Sequence, residues 1–337
     1  MTNRDRFQAV LNGDVCDRLP AVEWATYWDK TLLRWRNEGL PDGLNQQGIY
    51  RYFGLDQLFQ YWLCPRSGEG PCINGKPMEH IQDETDYERL LPYLYKDESI
   101  EEMVRALKRV SPLHETGDTV VWITLEGFFW FPRKLLGIEP HLYAFYDHPE
   151  LLHRINRDQA EFCLRAVDAA CSVLRPDFMT FAEDMSYNLG PMISHELYLE
   201  FMDPYYKLVV PRLKQYGVRV LIDTDGFVEP LIPWFMESGI EGVLPLERQA
   251  GVDINRIRSH FPQWIMIGGY NKMVMHLDEE AMRREFERLL PAMRAGRYIP
   301  SVDHQTPPDV SIENYQIYLR LLKEYCRKAA EHPTDSL

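Results

Sequence analysis

From about residue 118 to its C-terminal part, the chain repeats one pattern six times: a short apolar run, then a longer amphipathic stretch. The apolar runs cover residues 119–125, 178–182, 218–222, 242–246, 264–267 and 298–302. They are apolar almost throughout instead of alternating, which marks strands buried on both faces, as in a parallel sheet covered by helices. The stretches between them carry helix signals. Pro149 opens a run of apolar residues at 3–4 spacing that reaches about residue 174, and Ser194 can cap a helix running to about residue 216. Further helices are expected over about 228–238, 254–261, 278–294 and 311–330. Upstream, residues 19–24 and 58–62 supply two more strands. Eight β–α units in 337 residues predict an α/β fold of the (β/α)8 TIM-barrel type. It would form a single domain over 1–337, with an N-terminal helical extension at 1–18 and an insertion with helices at 65–117. A doubly wound sheet is the structural alternative, because strand order is not visible in sequence.

In such barrels the chemistry lies at the C-terminal strand ends. Read in order, those ends give Glu126, Glu183-Asp184, Asp223-Thr224-Asp225-Gly226, Glu247, Gly268-Gly269-Tyr270-Asn271 and Asp303-His304. One carboxylate at a strand end ordinarily caps a helix or solvates the rim. Several converging on one mouth predict a polar site instead. Asp223, Asp225, Glu247 and His304 form a set of oxygen and imidazole donors able to hold zinc or another divalent metal. The same groups could perform acid–base chemistry without one. Asp303 and His304 alternate along a strand, so only one should face the pocket. The aromatic run Phe128 to Phe131 directly follows a strand end and could wall that pocket or fill core. His141 and His195 read as surface histidines.

Composition narrows the classes of partner. The formal charge of −14 argues against a nucleic-acid backbone or an anionic membrane surface. No uncharged run approaches the roughly 20 apolar residues of a membrane span, and the polar start Met1 to Arg6 does not read as a signal peptide. The six cysteines form no C-x-x-C pair, so reduced thiols in a cytoplasmic protein are expected. Aromatic residues make up 12% of the chain, compatible with a pocket for a flat or apolar small molecule.

Several segments resemble the uroporphyrinogen decarboxylase superfamily, which includes the decarboxylase, corrinoid-dependent methyltransferases and cobalamin-independent methionine synthase. Arg6 to Gly13 with Asp17-Arg18-Leu19-Pro20 is similar to the family's N-terminal helix and first strand. Glu183-Asp184-Met185, Pro191 to Ser194 and Pro204-Tyr205-Tyr206 resemble the segment around its fourth strand. Asp223-Thr224-Asp225-Gly226 falls where the methyltransferases have His-x-Cys-Gly. His304, with Pro307-Pro308 and Glu313-Asn314 behind it, resembles the C-terminal motif carrying histidine in decarboxylases and cysteine in methyltransferases. The resemblance implies a (β/α)8 barrel.

The departures matter as much. Where decarboxylases carry an arginine-rich loop after the first strand, this chain has Val22 to Trp28, with no arginine. The decarboxylase aspartate after the second strand is replaced near Tyr61. A substrate with eight carboxylates needs guanidinium partners, so the methyltransferase branch is the closer resemblance.

That branch implies metal at the strand ends, here Asp223, Asp225, Glu247 and His304. It implies transfer of a methyl group from a small, methoxylated and aromatic substrate to a corrinoid carried by a partner protein. The substrate would dock among Trp24, Tyr27, Trp28, Glu126, Phe128 to Trp130, Tyr270 and Asn271. Glu183, Tyr187 and His304 would act on it, the first two as proton donors. A homodimer is the expected assembly. Two alternatives stand beside this reading: a carboxy-lyase acting on a tetrapyrrole or a smaller carboxylate, and a corrinoid- or tetrapyrrole-binding protein with no chemistry of its own.

Overall fold

A computed structural model describes residues 1–68, 70–73 and 76–331, without the side chains of 72–77. The thiol of Cys72 and part of the Pro/Gly-rich stretch at 65–77 therefore lie outside the described residues. The other five cysteines are free. Among the described residues no helix is long and apolar enough to cross a membrane.

Seven strands form one sheet: β1 (Gln57–Leu63), β2 (Thr119–Glu126), β3 (Phe178–Ala182), β4 (Arg219–Asp223), β5 (Gly242–Leu244), β6 (Ile265–Tyr270) and β7 (Tyr298–Val302). They lie in chain order, and each pairs in parallel with the next. Every residue of β2, β3, β5, β6 and β7 is buried, in keeping with their mostly apolar sequences. With strands parallel and sequential, all their C-terminal ends gather on one rim.

The helices between strands follow the sequence pattern closely, including Pro149–Val173, Glu279–Arg294 and Ile312–Glu331. The single helix expected over 194–216 is instead two, His195–Phe201 and Asp203–Gln215. Pro204 sits in the first turn of the second, where its missing N–H cannot continue the ladder of the first. His141 is not the surface residue expected. It is buried against the rings of Phe129 and Phe145, and burial lowers its pKa to about 3, leaving it neutral.

The closed eight-stranded barrel expected from sequence is corrected. The parallel sheet has seven strands and curls as a half-barrel, with no ladder joining β7 to β1 among the described residues. The missing strand is the stretch at 19–24, buried except for the half-buried Trp24 and not strand-paired. It meets the sheet at both edges. The carbonyl of Ala21 accepts the N–H of Asp56, just before β1, at 3.0 Å. On the other side, the Trp24 N–H reaches Ser301 Oγ at 3.3 Å and its indole N–H reaches the Val302 carbonyl at 2.7 Å.

Between these contacts, Glu23 substitutes a side chain for the absent ladder. Its carboxylate accepts from Ser301 Oγ, from the Val302 N–H at 3.3 Å and from the Tyr315 hydroxyl at 3.2 Å. The physical reason is local. Pro20 in one flank and Pro300 in the other each lack the N–H that a ladder needs.

Glu23 is almost fully buried, and burial outweighs its three hydrogen bonds, raising its pKa from 4.5 to about 7. Between those values the folded chain keeps a proton that the unfolded chain releases, so this group's contribution to stability falls as pH rises through the window. Glu23→Gln keeps the shape and cannot titrate. The wild-type unfolding free energy, measured relative to this variant, should therefore drop by at most about 3 kcal/mol between pH 4.5 and 7 and stay level above it. Denaturant unfolding across that range checks it, and parallel curves for the two proteins would refute it.

Candidate active site at the strand-end rim

β4 ends on Asp223, and the turn that follows is pinned to its neighbours. Thr224 donates its N–H to the Leu244 carbonyl at 3.0 Å and accepts the Met185 N–H on its hydroxyl at 3.0 Å. The Asp225 carbonyl accepts from Ser186 Oγ. Glu247 follows β5 and takes the Gly226 N–H on Oε2 at 3.0 Å, tying two rim turns together. The pair after β7 divides as alternation predicts. Asp303 is buried and accepts the N–H groups of Arg248 and Lys272, each at 3.1 Å, while His304 lines the rim cavity.

These turns bring Asp225, Glu247 and His304 together, with one donor atom from each lying within 4.8 Å of the others. The His304 Nε2 to Asp225 Oδ2 distance is 3.7 Å. Asp223, expected as a fourth ligand, stands outside this trio and lines the cavity beside it. Burial and then Asp184 push its pKa to about 8. Asp225 is raised as well, by burial first and then by Asp184 and Glu247. His304 is lowered by burial and by Lys272, which favours the neutral imidazole that ligates metals. Two carboxylates and a neutral imidazole at this spacing fit a divalent ion, with oxygen-rich character and no thiolate.

The cavity beside the trio holds about 270 Å³. Three indoles wall it, from Trp24, Trp62 and Trp130, with Gln60, Gln305 and Asp223 among its polar groups; among the described residues no lysine or arginine lines it. The Trp24 ring lies 6.3 Å from the His304 ring, edge to face. Trp130 is stacked under the Arg133 guanidinium at 4.7 Å, and its indole N–H has no partner among the described residues.

The other expected residues lie elsewhere. Tyr27 is buried, with its hydroxyl 2.7 Å from that of Tyr315. Trp28 is exposed at the start of helix Asp29–Asn37. Phe128 packs in core against Phe181, Tyr205 and Tyr206. Tyr270 is buried and donates to the Met282 carbonyl at 3.3 Å. Asn271 caps the turn at Met273 and accepts from Gln249. Glu126 is buried and paired with Lys134 at 2.6 Å. Tyr187 is nearly half exposed on the hairpin Ser186–Tyr187/Gly190–Pro191, away from the cavity wall.

Glu183 reaches the cavity, but its oxygens are taken. They accept the N–H groups of Phe128, Phe129 and Trp130 at 2.7–3.0 Å, and the Tyr206 hydroxyl. Gly127 makes room for this clamp, because a Cβ there would lie 1.9 Å from the carboxylate. Glu183 thus holds the turn that presents Trp130.

Trp62 and Gln60 were not singled out by sequence, although both sit on one face of β1 at period two, which was a usable signal. Lys272 gave no comparable one.

No curated protein matches the chain. A solved methyltransferase from Methanosarcina mazei shares the fold at 14% identity and a TM-score of 0.67, over 96% of this chain and 99% of its own. A Listeria monocytogenes structure, described as a candidate vitamin-B12 independent methionine synthase, aligns at 12% identity and a TM-score of 0.47, over 93% of this chain and 97% of its own. The uroporphyrinogen decarboxylase (URO-D) family model matches residues 66–325, most of the chain, and the protein belongs to that family.

Proposed function

We propose that the protein is a methyltransferase that moves a methyl group from a small methoxylated compound to a corrinoid carried by a partner protein, with a divalent metal held by Asp225, Glu247 and His304. One observation carries this reading: a metal-competent trio opens onto a small, indole-walled cavity with no lysine or arginine in its lining among the described residues. At about 270 Å³ that cavity lies at the small end of ligand pockets and offers an eight-carboxylate tetrapyrrole no guanidinium. The Methanosarcina methyltransferase of the same fold supports methyl transfer as the reaction class.

Bound there, a divalent ion would supply Lewis acidity toward the oxygen that bears the methyl group. Trp24, Trp62 and Trp130 would sandwich a flat ring and keep bulk water from it. The Trp130 N–H, buried and unpartnered among the described residues, would gain a partner in a substrate oxygen, and Gln60, whose amide nitrogen is spent on Thr124, would offer its oxygen as an acceptor. Glu183 keeps the turn of Trp130 in place and does not donate a proton in this scheme. Orientation, rather than acid catalysis by Tyr187 or Glu183, is what these residues contribute.

A second reading, a carboxy-lyase acting on a small carboxylate, draws on the family match itself and needs no metal. Chelation separates the two. The purified protein should bind about one equivalent of divalent metal, lose methyl transfer to added corrinoid on chelation, and regain it on reloading. His304→Ala should weaken metal binding by at least about tenfold. A protein that binds no metal by elemental analysis and remains active as His304→Ala would sink the proposal. Trp130→Ala, which removes one wall and its N–H, should raise KM about tenfold with a smaller effect on kcat. Steady-state kinetics on a methoxylated aromatic substrate measures it.

A further inference from the structure

The trio already has a cation beside it. Lys272 opens the short helix Lys272–Val274 directly after Asn271, and its position is fixed from both sides. Its N–H is bonded to the buried Asp303, and the Asn271 side chain caps the next turn at Met273. The ammonium lies 3.6 Å from Glu247 Oε1, with the Lys272 side chain only 17% exposed. Glu247 Oε2 is committed to the Gly226 N–H, so Oε1 is the oxygen left for a metal. That is the oxygen Lys272 occupies. The neighbouring cations are spent elsewhere: Arg133 on Asp184, Lys134 on Glu126, and Arg248 on the Val252 carbonyl and Asp253.

We propose that Lys272 is a resident cation of the metal centre, competing with a divalent ion for Glu247 Oε1. The inference rests on Asp225, Glu247 and His304 being metal ligands. A dication entering the trio must open the Lys272–Glu247 pair and then sit within a few ångströms of an ammonium in a partly desolvated site, where like charges repel strongly. The result is a metal held more loosely than its three donors alone would hold it, and therefore exchangeable. It also raises the premium on ions that bind nitrogen and oxygen donors tightly.

The competing structural role is that Lys272 merely orients Glu247, and the two roles predict opposite signs. Chelator-stripped full-length protein would be titrated calorimetrically with Mn²⁺ and, separately, Zn²⁺. Under competition, Lys272→Met binds at least about tenfold more tightly than wild type, while Lys272→Arg stays near wild type. Equal or weaker binding by Lys272→Met overturns the proposal and makes Lys272 an orienting residue. Absence of binding in every variant, including wild type, overturns the metal-centre reading and this inference with it. Lys272→Gln, also uncharged but still polar, repeats the comparison should the methionine variant fold poorly, and it must shift in the same direction.

Discussion

Glu23 is the carboxylate on which the two free edges of the sheet meet. Burying a carboxylate is costly unless donors surround it, and here Ser301, Val302 and Tyr315 provide them. The arrangement does more than close a gap. It fixes Trp24 against Val302, two residues before His304, so one cavity wall and one donor of the trio are set by the same few bonds. A backbone ladder would have joined the edges with any sequence. A side-chain stitch joins them only in the register that brings Glu23 to Ser301, which ties the geometry of the rim to a single residue.

That stitch explains which parts of the fold were legible. The strands from β2 to β7 announce themselves because burial on both faces leaves few polar positions to blur the run. The stretch at 19–24 looks like one more such run, since hydrophobicity counts side chains and not backbone donors. Pro20 and Pro300 carry the missing information, and the absence of two N–H groups turns a barrel into an open sheet with a stitched seam. The helix over 194–216 went the same way at Pro204.

The site divides along a similar line. Asp225, Glu247 and His304 were readable because a polar residue directly after a buried strand has few places to go except the rim. Tyr27, Phe128 and Tyr270 were misplaced because an aromatic ring reads the same in core and in a pocket wall. Trp24 and Trp130 were distinguished from them only by what surrounds them in three dimensions. Glu183 stands where a catalytic carboxylate would, but its partners are three backbone N–H groups that no side-chain pattern records. Lys272 escaped notice for a related reason: its partner lies 25 positions away on another turn, and only the parallel order of β5 and β6 makes them neighbours.

The charge at the rim is more balanced than the net −14 suggests. Glu126 has Lys134, Asp184 has Arg133, Glu247 has Lys272, and Glu183 has backbone donors. Among the described residues Asp223 and Asp225 have no such cationic partner, apart from the neutral-leaning His304 beside Asp225. Both sit half-buried beside Asp184, and partial desolvation first, then the Asp184 charge, raises their pKa values. A divalent ion in the trio would supply the missing charge for Asp225 and leave Asp223 free on the cavity wall. The thiolates that the methyltransferase resemblance places at these strand ends would make a soft centre suited to a thiol. Asp225, Glu247 and His304 would make a harder one, and under the proposed function hardness at the metal would suit an oxygen-bound methyl group.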